Sequence, residues 1–336
     1  MLKWGNVLKK ILVYIPCHSD FADAISQAKH LRSEFDLHSS IPNALEWQLE
    51  IVMSVNNFIP SESFKIEADK FCDEVHYYGE NLLADVNISQ GFLIALRKNP
   101  DLFWVLSAND ALVVGGLTLI LNHFIINPNL DLLVASESNV NKQYRGKDIL
   151  ESEKHNLHLG LISAVIYRMH KMSKYFNVAP FLPWTGWSQL GVIRNAALGE
   201  ESLIVETVPR KNLFLLERKE LVTVGKLYAH SYFGGLIHEL MYKTGSRARH
   251  KIVRKFVYKN FFLHHLYSQR DKKFNGELLI ITEHYLHWNK KIAESLIRSE
   301  TPVSYCLYRL VSKIPFEKYQ GNSFFQKLRN YLRDII

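Results

Sequence analysis

The sequence predicts an α/β protein: a Rossmann-type, mostly parallel central sheet with helices on both faces, followed by a helical, basic C-terminal region. Three observations predict it. The first 140 residues alternate short β-rich runs with helical patterns, which is the signature of βαβ units. After about Tyr228 the apolar residues recur at helical spacing only. The charge also changes sign along the chain: residues 211–336 hold 23 Lys and Arg against 10 Asp and Glu, whereas residues 1–210 hold 18 against 23. An acidic front joined to a basic back implies two surfaces with different partners. The expected division is 1–228 for the α/β domain and 229–336 for the helical region.

The elements follow in order. Ile11-Leu-Val-Tyr-Ile15 is a buried-strand run, ended by Pro16. Ser19 or Asp20 can cap a helix with the apolar stripe Phe21, Ala24, Ile25, Ala28 and Leu31. Leu49 to Val55 forms a second strand closed by Asn56-Asn57, and Glu74 to Tyr78 a shorter third. A helix is expected from Ala84 to Lys98, then a strand over Leu102 to Leu106. The apolar stretch Ala111 to Ile126 contains Gly115, Gly116, Asn122 and His123. It falls short of the roughly 20 apolar residues of a membrane span and is expected as a buried helix. Leu132 to Ala135 and Leu161 to Tyr167 are further strand candidates. In the basic tail, Ile252, Val253, Phe256, Val257 and Phe261 make one stripe, with Arg247, Lys251, Arg254, Lys255 and Lys259 largely elsewhere. Helical segments are also expected near 283–297, 303–313 and 323–336.

Composition excludes several classes. The 336 residues, 47% hydrophobic and 22% charged, are ordinary globular protein of roughly two domains' length. Cys17, Cys72 and Cys306 are too few and too widely spaced for a disulfide framework or a CxxC zinc site. His155 with His158, and His264 with His265, lack further ligands at zinc spacing. Neither a P-loop nor a GxGxxG turn is present. No export signal is read at the N-terminus, and the expectation is a cytoplasmic protein.

Ligands of open α/β sheets bind beyond the carboxyl ends of the strands. Three polar clusters stand there: Cys17-His18-Ser19-Asp20, Asn56-Asn57 and Ser107-Ala108-Asn109-Asp110. Convergence of the three on one crevice would make a polar binding site. For Asn109-Asp110 the competing assignment is a helix cap, and for Asp85 and Asn87 a first helical turn favoured by the dipole.

The segment Asn81-Leu-Leu-Ala-Asp85-Val-Asn87-Ile, followed by Leu102-Phe-Trp104-Val-Leu-Ser107-Ala-Asn109-Asp110-Ala-Leu112, resembles the family-2 glycosyltransferases of the GT-A fold. Many of these carry N-x-G-x-D-x-N, a helix, then a strand ending in an aspartate-rich motif. The nearest subset is the bacterial surface-polysaccharide transferases of O-antigen and capsule assembly. The resemblance covers about residues 10–135, with scattered points further on.

What it implies is a nucleotide-sugar donor, with a UDP-sugar foremost, and a saccharide acceptor carried on a lipid such as undecaprenyl diphosphate. Pro16, Cys17, His18 and Asp20 would flank the nucleotide, with Asn56 at the base and Asp85, Asn87 and Ser107 along the donor. Asn109 and Asp110 would stand at the reacting diphosphate. Asp110, with His230, would hold Mn2+ or Mg2+, which neutralises the leaving diphosphate in this chemistry. Trp184, Trp187 and Gln189 would line the acceptor side, where a tryptophan suits stacking on a sugar ring.

The departures are equally specific. Leu83 replaces the glycine of N-x-G, and Ser107 and Asn109 replace acidic residues of the metal motif. The region Pro183 to Leu190 holds no carboxylate where inverting members have an acidic pair, and Gln189 is no general base. Glu137 and His158 are the other candidates for that role, or the reaction retains configuration. The aromatics Phe256, Tyr258, Phe261, Phe262 and Tyr267 among the tail's basic residues imply attachment to an anionic membrane at its inner face rather than to nucleic acid. The competing class is a non-catalytic adaptor with a degenerate domain, docking through the tail.

Overall fold

The computed structural model describes residues 8–17, 21–40, 47–56, 59–80, 82, 84–136, 139–151, 159, 162–183, 187–215 and 291, 295 and 298. The chain divides into two compact units, Met1–Pro183 with Ser188–Arg218, and Trp184–Trp187 with Lys219–Ile336. The tail helices, and with them the expected membrane surface, lie outside the described residues except for Lys291, Ser295 and Arg298, which are helical and exposed. Among the described residues no helix is long and apolar enough to cross a membrane.

The first unit is built on an eight-stranded sheet of order β3-β2-β1-β4-β7-β5-β8-β6. Its strands are β1 (Lys9–Cys17), β2 (Trp47–Asn56), β3 (Glu74–Tyr78), β4 (Leu102–Val105), β5 (Leu132–Ser136), β6 (Lys142–Arg145), β7 (Val165–Arg168) and β8 (Ile204–Pro209). β1 pairs in parallel with both β2 and β4, and β2 with β3. β7 runs antiparallel between β4 and β5, so β5 and its parallel partner β8 share the direction of β1 to β4. Only the edge strand β6 is also reversed. The carboxyl ends of β1, β2, β4 and β8 therefore open on one edge of the sheet.

Each central strand is apolar because it is covered twice. Ile11 to Ile15 are all fully buried, as are Leu102 to Trp104, the pattern of parallel strands with helices above and below. One helix group comprises α1 (Phe21–Ser39), α2 (Glu62–Phe71) and α4 (Gly116–Ile126), where α1 packs on both others. The second comprises α3 (Ala84–Lys98), α6 (Met169–Phe176) and α7 (Ser188–Gly199), and a single turn, α5 (Asp148–Glu151), lies between α4 and α6 in sequence. α1 and α3 both pack on β1. Under α3, the rings of Phe92, Phe103, Tyr167 and Phe176 meet edge to face at 4.8–5.7 Å in most pairs, a geometry favoured by the ring quadrupole.

Two expected elements are corrected. The helix expected from Ala111 begins only at Gly116, because Gly115 adopts φ 80° and breaks the chain direction there. The segment before it instead forms a bridge, Leu112 to Phe214. The strand expected over Leu161 to Tyr167 starts as a 3-10 turn, Ile162–Ala164, and only Val165–Arg168 is strand. The helix α3 and the strand β3 have the bounds expected of them.

Candidate functional site

The strand register brings Cys17, Asn56 and Ser107, described members of the three polar clusters, to nearly one height. Cys17 pairs with Val55, Asn56 with Tyr78, and Tyr14 with Val105, after which Leu106 N–H still donates to Tyr14 O at 2.9 Å. Cys17 and Asn56 thus end neighbouring strands on the same edge, and Ser107 follows the end of β4 there. The chain leaves β1 for β2 and β3 on one side and returns to β4 on the other. That is a topological switch point, the usual place for a ligand crevice in such sheets.

The polar residues there divide sharply by what they already hold. Asn56 is fully buried, and its Oδ1 accepts from Leu82 N–H at 2.7 Å, which ties the end of β2 to the approach of α3. Asn87, expected along the donor, is buried within the first unit. Its Oδ1 accepts from the hydroxyls of Tyr14, at 2.7 Å, and of Ser54, while Tyr14 also reaches Asn87 O at 2.8 Å. Burial drives the Tyr14 hydroxyl far above its ordinary pKa, with the Ser54 hydrogen bond opposing, so it remains a neutral donor. Gly91, one turn after Asn87 on α3, makes room for this ring: a Cβ there would stand 2.4 Å from Tyr14 Cδ1. Asn87 therefore fastens α3 to β1.

Asp85 and Ser107 are different. Asp85 is half-buried in the first turn of α3, whose positive dipole end suits an anion. Its carbonyl accepts from Ser89 Oγ at 2.8 Å, and Ser89 also contacts Ser188 Oγ at 3.1 Å, which fixes α3 against the start of α7. Ser107 opens a tight turn: its carbonyl accepts from Asp110 N–H at 3.2 Å and its Oγ from Asn109 N–H at 3.4 Å. Ser163, which sequence reasoning missed, anchors that turn. It accepts from Ser107 N–H through Oγ at 2.8 Å and from Trp104 Nε1 through its carbonyl at 2.9 Å.

Asp110 ends the turn, partly exposed, and its Oδ1 accepts from Arg210 Nη2 at 3.2 Å. The sequence reading did not single out Arg210 either. It follows β8 directly, and the strip after it pairs with the strip after Asp110. Val113 N–H donates to Leu213 O at 3.0 Å and Leu215 N–H to Ala111 O at 2.8 Å. The guanidinium lies over the Phe214 ring at 5.6 Å, and that ring in turn meets Trp104 at 6.2 Å. Two strand ends 100 residues apart in sequence are so locked together, with one carboxylate and one guanidinium between them.

This set suits a divalent ion poorly. Ser107 and Asn109 add no carboxylate, the Asp110 oxygen already accepts from a cation, and among the described residues no three His, Cys, Asp or Glu gather as ligands. His230, the other expected ligand, lies outside the described residues, as do His18, Asp20, Asn57, Glu137, His158 and Trp184. Trp187 is half-buried, and Pro16 likewise, whereas Cys17 is buried at the end of β1. Gln189, expected at the acceptor, is buried in the first turn of α7.

No protein-family model matches the chain, and no curated protein matches it in sequence. Solved structures do. Residues 1–349 of S. aureus TarS, free and in complex with UDP, superpose with a TM-score of 0.51 at 14% identity, over 93% of this chain and 92% of that one. The same protein in complex with UDP-GlcNAc gives a TM-score of 0.50 at 12% identity, over 97% of this chain and 87% of that one. The fold is GT-A-like. A mannosyltransferase from Pyrobaculum calidifontis, with GDP-Man and Mn2+ bound, is similar at a TM-score of 0.48 and 9% identity, over 92% and 89% of the two chains.

Proposed function

We propose that the chain is a glycosyltransferase that moves one sugar from a nucleotide diphosphate donor, a UDP-sugar first, to a saccharide acceptor. The observation that carries this reading is the meeting of the β1, β2 and β4 ends at one switch point, with Asp110 at its open side. The same fold in TarS holds UDP and UDP-GlcNAc. Pro16 with His18 and Asp20 would flank the nucleoside, and Asp85 and Ser107 would face the donor from the α3 dipole and the β4 turn. Asn56 and Asn87 serve the same site by holding its walls.

In the reaction the acceptor hydroxyl oxygen bonds to the anomeric carbon as the bond from that carbon to the diphosphate oxygen breaks. The leaving oxygen keeps the electron pair, and the hydroxyl proton passes to a base. Catalysis then consists of orientation and of positive charge near the leaving group. The resemblance gives that charge to Mn2+ or Mg2+ on Asp110 and His230. Of the residues that would hold that ion, Asp110 already accepts from Arg210. The acceptor is read as a lipid-linked saccharide of a bacterial surface polysaccharide such as lipopolysaccharide or capsule. The protein would work peripherally on the inner face of the membrane, its basic tail on anionic lipid. What supports this is the excess of Lys and Arg after residue 210.

Calorimetric titration of UDP, GDP, TDP and CMP against the whole chain tests the reading. Binding of one nucleotide diphosphate is expected, with Asp110→Ala losing sugar transfer by about 100-fold or more, the scale of a missing electrostatic contact. Failure of every nucleotide to bind would replace the enzyme with the adaptor reading, in which the tail makes the only interaction.

A further inference from the structure

We propose that Arg210 is the cation of the leaving group: it donates from its guanidinium to the diphosphate of the donor, so that nucleotide binding needs no divalent ion. The inference rests on the donor reading above and goes beyond it, naming the residue that holds the diphosphate.

Five observations carry it. Arg210 and Asp110 follow β8 and β4, whose carboxyl ends open on the edge where the nucleotide is read to bind. The backbone pairing of 111–113 with 213–215 and the Phe214 ring fix the guanidinium there, at no cost of folding a loop on binding. Its engagement with Asp110 is a single contact of 3.2 Å, longer than the 2.7–2.9 Å usual for a charge-assisted pair. An arginine has five donors, and here Nε, though buried, meets no acceptor among the described residues. Both side chains remain partly open to solvent, at 22% for Arg210 and 28% for Asp110.

The chemistry then closes without a metal. A guanidinium keeps its charge at any pH the protein meets, and its planar fork matches two phosphate oxygens at once. As the bond between the anomeric carbon and the phosphate oxygen breaks, the electron pair goes to that oxygen. The new charge is met by N–H donors already in place, and no proton leaves Arg210. Asp110 is then the positioning residue that aims the guanidinium, which explains a single carboxylate in a turn where Ser107 and Asn109 bring none.

The test titrates UDP, GDP and TDP, each beside its nucleoside, against the full chain in EDTA and again in MnCl2. Wild type is expected to bind one diphosphate with affinities in the two buffers within about twofold. Arg210→Gln should lose at least tenfold in diphosphate affinity while the nucleoside binds as before, and Arg210→Lys should recover part of the loss. Thermal unfolding of each variant separates a lost contact from a lost fold. A diphosphate that binds wild type only with Mn2+, and Arg210→Gln equally well, would overturn the role of Arg210 and leave the donor reading intact. No diphosphate binding in either buffer overturns both.

Discussion

Asn87 and Asp110 stand on neighbouring elements of one crevice, and both were expected to touch the donor. The structure uses them in opposite ways. Asn87 is given over to the fold: its oxygen accepts two hydroxyls inside the first unit, and the residue is buried. Asp110 is barely spent, with one long contact to Arg210 and a carboxylate still partly in solvent. A polar residue near a strand end says little until its hydrogen-bond capacity has been counted. What a site can offer a ligand is what the fold has left unpaired.

The widest separation between the two should come from paired substitutions. Asp110→Ala is expected to lower transfer by about 100-fold or more and leave thermal unfolding within a degree or two, since a partly exposed ion pair contributes about 0–1 kcal/mol. Asn87→Leu should do the reverse to stability. It removes the Oδ1 acceptor of the buried Ser54 hydroxyl, at about 1–3 kcal/mol for a buried group left without that partner, while the Tyr14 hydroxyl keeps the Asn87 carbonyl. Unfolding should therefore fall by several degrees, while the nucleotide affinity of the folded fraction stays within a few-fold. An Asn87→Leu protein with native unfolding and no nucleotide binding would reverse the assignment.

This contrast also explains how much the sequence made legible. α3 reads clearly because its acidic first turn, basic last turn and apolar stripe all lie within fifteen residues. β1, β2 and β4 read clearly because strands covered on both faces are continuous apolar runs. α2 was missed because only Ala68 of it is buried, which leaves almost no stripe, although Ser61 caps it by accepting from Phe64 N–H. β6, Lys-Gln-Tyr-Arg, is an edge strand with no apolar pattern to find. The polar strand ends are local features and were legible. Ser163 and Arg210 were not, since they reach the β4 turn from 56 and 100 residues away. Only the sheet order β4-β7-β5-β8 brings them there, and strand order is not written in any short stretch.

A smaller effect sharpens the account of the α3 wall. Gly91→Ala places a methyl 2.4–2.8 Å from three carbons of the Tyr14 ring, which is itself held at its hydroxyl by Asn87. The ring cannot step aside without breaking that hydrogen bond, so overpacking by about 1–3 kcal/mol is expected. Gly91→Ala combined with Tyr14→Leu should regain part of the loss in thermal unfolding, because the clash goes with the ring. Equal losses in the single and double variants would mean that the strain lies elsewhere on α3.

The smallest expected effect lies farthest from the crevice, where charge serves the fold alone. Lys98, in the last turn of α3, bridges Glu50 of β2 at 2.7 Å and Glu74 of β3 at 2.5 Å. Burial pushes the Glu50 carboxyl up, but hydrogen bonds from Lys98 and Lys10 outweigh it and the net shift is downward. Glu74 is lowered chiefly by its hydrogen bond from Lys98. A carboxylate whose folded pKa is depressed adds stability above its unfolded value, near 4.3, and loses it as pH falls through the folded value. Lys98 is raised by its two partners against the desolvation that opposes them, so its own share is present below its unfolded pKa and does not change in acid. Water screens these partly exposed groups, and about 1 kcal/mol is the scale for removing the bridge. Lys98→Met should therefore unfold about 2–4 °C below wild type at pH 7, by the usual conversion for a unit of this size. That gap should narrow as the pH drops from about 4.5 toward 3, where wild type loses the same interaction by protonation. A gap that stays constant over that range would assign the stabilising effect of Lys98 to the packing of its methylenes rather than to its charge.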